Sequence, residues 1–186
     1  MADIKGDPAE AARAVLAFWF GEVGKDRWWA RDVALDAAIA ARFGDLRDAV
    51  LASRARGWRD DADTLLAAII LCDQFSRNVH RESRKAFEAD ALARELTMLA
   101  LERGWDAGMT IDQRQFLLMP LMHSEKLVDQ VRGLAEFAAL GDANVTHYAQ
   151  LHHDQIARFG RFPGRNAALG RRTSEAEQAV IEEEAF

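Results

Sequence analysis

Apolar residues recur along the chain at steps of three and four positions, and each such block is closed by glycine, proline or a capping side chain. Asp7-Pro8-Ala9-Glu10 combines an Asp cap, a proline at the first helical position and an acid at the third. That start predicts a first helix from Pro8 to about Phe20, stopped at Gly21. Leu35, Ile39, Phe43, Leu46 and Val50 mark one face of a second, long helix, about Val33 to Arg56, with Gly57 behind it. The third, about Ala62 to Ser76, is apolar nearly all round between Leu65 and Cys72, and a helix without a polar face belongs at the centre of a fold. A fourth covers about Arg84 to Arg103 and stops at Gly104. Thr110-Ile111-Asp112-Gln113 reads as a capping box for a fifth, which Pro120 ends or kinks. Ser124 caps a sixth, to about Leu140, and a seventh runs from about Asn144 to Phe159 before Gly160. Ser174-Glu175-Ala176-Glu177 caps a short eighth.

Composition supports an all-α fold. The chain holds 35 Ala against 21 Val, Ile and Thr together, and Ala loses no side-chain entropy in a helix while branched residues suit strands. About eight helices joined by short turns imply antiparallel neighbours, hence stacked helical hairpins. No Ser/Pro-rich linker or shift in composition divides them, so residues 1–186 read as a single domain. Lys and Arg number 24 against 30 Asp and Glu, a formal charge of −6, which disfavours nucleic acid or an anionic membrane as partner. The longest apolar run, Leu65 to Cys72, is far below the roughly 18 residues of a spanning helix. The start, Met1 to Pro8, has no apolar signal core. A single cysteine, Cys72, excludes an internal disulfide and fits a reducing cytoplasm, the expected location.

Three polar clusters stand where helices end. In the first, Asp73 follows Leu66 and Ile69 on a buried row, and Arg77 lies one turn later as an i,i+4 partner. A charged pair there is costly unless hydrogen bonds compensate. It ties the helix end to a neighbour, with Asn78 as the left-handed stop, or it makes Arg77 an anion clamp oriented by Asp73. In the second, Ser124 and Glu125 are ordinary helix-start residues, which leaves His123 to act as a general acid or base. The third spans Arg158 to Arg172. Five arginines and no acid lie between Gln155 and Ser174, a composition for phosphate or carboxylate, or for covering helix C-termini. His152 shares a row with Tyr148 and Ile156 and reads as a core histidine. Metal-ligand spacings, glycine-rich phosphate loops and G-x-S-x-G are missing from the sequence, so no metal and no cofactor are expected. Cys72, in the most apolar segment, reads as packing rather than a nucleophile.

Several strings occur in order: Val15-Leu16-Ala17-Phe18-Trp19-Phe20-Gly21, Asp73-Gln74-Phe75-Ser76-Arg77-Asn78, Ala86-Phe87 with Asp90, His123-Ser124-Glu125, and Phe159-Gly160-Arg161-Phe162-Pro163-Gly164-Arg165-Asn166 through Leu169-Gly170-Arg171. With these the chain resembles a bacterial family, domain-of-unknown-function family 924, grouped with tetratricopeptide-repeat-like helical folds. The resemblance implies a right-handed all-helical superhelix and no particular activity. The family often carries Pro where Ser76 stands and His where Gly164 stands.

The leading functional expectation is a binding module whose pocket holds an anionic small molecule or a peptide terminus. Arg77, Arg161 and Arg165 would clamp it, Asn78 and Asn166 orient it, and Phe75 and Phe162 wall the site. The runner-up is a hydrolase or lyase with His123 as acid/base and Glu125 or Asp73 as its orienting partner. A third reading is a scaffold for a protein partner, in which the clusters only close helix ends.

Overall fold

Asp7 accepts a hydrogen bond from the Ala9 N–H, and α1 (Pro8–Leu16) begins there, as the Asp-Pro start predicts. The computed structural model describes residues 7–184; the polar opening segment 1–6, read above as lacking a signal core, lies outside them. It is all-α, with no strand among the described residues. The helix does not stop at Gly21. It continues in wider π turns over Ala17–Val23, burying Phe18, Trp19 and Val23, and ends at Gly24, whose φ of 76° suits glycine.

α2 (Val33–Ala52) is capped by the Asp32 carboxylate and stops short of Arg56. Arg54 and Ala55 adopt positive φ, and Ala55 turns back to bond Val50 O at 2.8 Å while burying its methyl. α3 (Ala62–Ile70) is buried at every position from Thr64 to Ile70 and is the central helix. It continues through π turns Leu71–Phe75 into α4 (Ser76–Val79). Asn78 stays helical; the left-handed residue falls at Glu82, φ 60°. A short 3-10 turn, Arg84–Phe87, precedes α5 (Asp90–Glu102).

Thr110 and Gln113 form the expected reciprocal cap on α6 (Ile111–Met122), and Pro120 is accommodated inside the helix. Ser124 does not cap α7 (Leu127–Ala139): its hydroxyl donates to Asp129 at 2.7 Å, and Lys126 occupies the cap position. Gly133 lets α7 approach α6, where a Cβ would stand 3.1 Å from that of Leu121. α8 (Ala143–Phe159), capped by Asp142 and ended by left-handed Gly160, packs on α7. A 3-10 turn at Pro163–Arg165, α9 (Asn166–Leu169) and α10 (Glu175–Glu184) complete the chain; Ser174 and Glu177 cap α10 reciprocally.

The core gathers around α3, against which α1, α5 and α6 pack, while α2 lies along the 71–79 segment. Its centre is aromatic: the Phe75 ring sits 5.4 Å from Trp19 and 5.3 Å from Phe43. Cys72 is wholly buried there, and burial pushes its thiol up to about 12, so it stays protonated and packs as an apolar group. No helix among the described residues is long and apolar enough to cross a membrane.

Candidate functional site

Three helical stripes face a cavity of about 510 Å³. Gln74, Arg77, Asn78 and Arg81 come from the 71–81 segment, Gln115, Met119, Met122 and His123 from α6 and its end. Val145, Tyr148 and His152 come from α8. Each set recurs at three or four positions, so one face of each element lines the void. The turn from Trp28 to Arg31 closes the remaining side. The Trp28 indole N–H donates to Trp19 O at 3.0 Å, fixing that turn to the first helix, and Trp29 stacks on Phe116 at 5.5 Å. Arg31, Arg77 and Arg81 line the cavity and no Asp or Glu among the described residues does.

Behind the lining lies a buried charge network. The Asp73 carboxylate, 1% exposed, accepts from His123 Nδ1 at 2.8 Å and from the Gln74 amide and forms an ion pair with Arg77 at 3.1 Å, while Arg77 donates to the Asp73 backbone carbonyl at 2.7 Å. Burial alone would raise its carboxyl, but Arg77 and His123 hold it well below the usual carboxylate range. Burial, aided by the positive charges of Arg77 and Arg165, outweighs Asp73 at His123 and lowers the imidazole to about 4. The pair is therefore carboxylate plus neutral imidazole at pH 7. With Nδ1–H donated to Asp73, Nε2 is left as an acceptor. His152 repeats the arrangement: its Nδ1–H donates to Tyr148 O at 2.8 Å, and its ring centroid lies 6.2 Å from that of His123.

The first and third polar clusters do meet. Arg77 bonds Asp90 at 3.0 Å, Arg165 bonds the other oxygen of Asp90 at 3.1 Å, and Arg165 also donates to His123 O at 2.8 Å. The Arg165 guanidinium lies between the rings of Phe87 and Phe162, 4.7 and 4.6 Å from their centroids. It therefore braces His123 from behind and does not line the cavity. Burial and Arg77 push it down to about 10, leaving it charged at neutral pH. Phe162 packs its edge against His152 at 5.3 Å and likewise backs the wall.

The remaining sequence candidates lie elsewhere. Glu125 is fastened at 2.8 Å by each of two Arg171 nitrogens and by the Phe162 N–H, and the partner of His123 is Asp73. Arg161 pairs with Glu177 at 2.6 Å and donates to Arg172 O. Asn166 is buried against Thr173, and Phe75 belongs to the aromatic core. Asn78 does reach the cavity, its amide donating to Asp36 at 2.7 Å. Sequence reasoning missed Arg31, Arg81 and Gln115. Arg81 was accessible through its i,i+4 spacing from Arg77, and Gln115 through its row with Met119 and Met122; Arg31 sits in a non-periodic turn. No group of three or more His, Cys, Asp or Glu among the described residues could hold a metal ion.

A solved structure of a protein of unknown function from Agrobacterium tumefaciens is similar at 35% identity and a TM-score of 0.90, over 95% of this chain and 99% of that one. No curated protein matches the chain. A family model described as bacterial protein of unknown function (DUF924) matches residues 15–185, and the chain belongs to that family.

Proposed function

We propose that the protein binds a small anionic molecule in the cavity between the 71–81 segment, α6 and α8. The observation that carries this reading is the lining: Arg31, Arg77 and Arg81 line the cavity and no Asp or Glu among the described residues does, together with Trp, Met and Tyr side chains. Arg77 is committed to Asp73 and Asp90, and Arg81 to Asp36, so both are fixed in place before a ligand arrives. Arg31 is the adaptable member; its salt-bridge partner Glu82 is itself 74% exposed. The test is calorimetry with benzoate, phenyl phosphate and their uncharged amide or alcohol counterparts. The charged members bind, and Arg31→Ala weakens them about three- to ten-fold with an unchanged Tm, the scale of one partly screened charge contact. Equal affinity for charged and uncharged members would reject the reading.

A second reading is supported by the Asp73–His123 pair. A neutral imidazole held by a buried carboxylate and offering Nε2 has the form of a general base in a hydrolase or lyase. Turnover of a cavity ligand would then show an acid limb in kcat/KM near pH 4, where the imidazole protonates, and would be lost in His123→Gln. A limb at the ordinary histidine value would exclude His123.

A further inference from the structure

Gln115 is 8% exposed, lines the cavity, and its carboxamide has no hydrogen-bond partner among the described residues. It shares the inward stripe of α6 with Met119 and Met122, positions where the chain places apolar side chains. Met would fill position 115 in the same stripe without leaving a polar group unpaired. Neither polar atom of the Gln115 carboxamide is sealed from solvent, so the amide opens onto the cavity, where a ligand can pair with it. By contrast, the Gln74 amide in the same cavity is held by Asp73. The flanking wall is aromatic, with Trp28, Trp29 and Tyr148 presenting rings to the void.

From these features we infer that Gln115 is the specificity-determining residue for the cavity ligand. The ligand class is an aromatic or heteroaromatic acid that bears, away from its anionic group, an amide-like edge with one donor and one acceptor. The ring lies against the tryptophan and tyrosine side chains, the anion meets the arginines, and the amide edge pairs with the Gln115 carboxamide. This rests on the anion-binding reading above and adds to it what the far end of the ligand must carry.

The probes are 3- and 4-carbamoylbenzoate, each measured against 3- and 4-isopropylbenzoate, which have the same shape without the hydrogen bonds. Calorimetry on the wild-type chain is expected to show a carbamoyl member binding at least about ten-fold tighter than its isopropyl counterpart, since a polar site rejects a ligand that leaves it unpaired. Gln115→Leu removes or reverses that preference while retaining the isopropyl affinity, and its unfolding midpoint shows that the fold is kept. Equal affinities in the wild type, or a preference that survives in Gln115→Leu, overturns the role of Gln115. If the acids bind in an Arg31-dependent way without discrimination, this inference alone falls. If none of the four binds, the anion-binding reading falls and takes this one with it.

Discussion

His123 shows how a single side chain can be held in one protonation state by opposing influences. A carboxylate at 2.8 Å would ordinarily raise a histidine, yet burial and two neighbouring guanidiniums win and lower it to about 4. The consequence for stability follows from linkage. An unfolded chain protonates this residue near pH 6.5, whereas the folded chain resists until about pH 4, so acid favours the unfolded state across that interval. Stability from neutral His123 is complete above about 6.5 and is lost as pH falls toward 4, by about 3 kcal/mol for the 2.5-unit gap. Asp73, depressed below its ordinary value, extends the loss to still lower pH. Urea unfolding of wild type and His123→Gln at pH 7 and pH 4.5 checks this. The variant is expected to lose distinctly less stability between the two; parallel losses would contradict the assignment.

At the scale of elements, the helices are legible in the sequence and their ends are less so. Asp7, Thr110 with Gln113, and Ser174 with Glu177 carry local caps, and each works as its pattern indicates. Ser124 has the right side chain for a cap, but Asp129 claims its hydroxyl through a tertiary contact that no local pattern encodes. Ala55 becomes left-handed because its methyl is buried, a decision made by packing rather than by glycine propensity. Gly21 is the converse case: exposed, helical and with nothing within 4 Å of where a Cβ would stand. Gly21→Ala is accordingly expected to stabilise the protein by about 0.5–1 kcal/mol, chiefly by narrowing the unfolded ensemble, seen as a Tm rise of about 2 °C in thermal unfolding. A fall in Tm would mean that the π turns need glycine there.

Across the whole molecule, the charged clusters at separate helix ends converge through shared carboxylates. Asp90 joins Arg77 to Arg165, and Glu125 joins the turn after α6 to Arg171 near the last helix. That clusters of opposite charge at helix ends would seek one another is readable from composition and spacing. Which guanidinium faces the void is not, because it depends on helix rotation and on rings such as Phe87 and Phe162 that enclose Arg165. Arg31 arrives from a turn with no period to betray it, and Gln115 lines a void only once α6 faces α8 across the cavity.

Trp29 gives this architecture a practical corollary. Of five tryptophans, Trp19 and Trp58 are sealed in the core and Trp28 is 8% exposed, while Trp29 is 55% exposed at the cavity mouth, its indole parallel to the Phe116 ring. The protein thus carries an intrinsic fluorophore at its own doorway, far more exposed than Trp19, Trp28 and Trp58. Replacing that indole with phenylalanine preserves a ring on Phe116 and removes the reporter, so the part of an intensity change on titration that disappears in this variant marks arrivals at the entrance without a label.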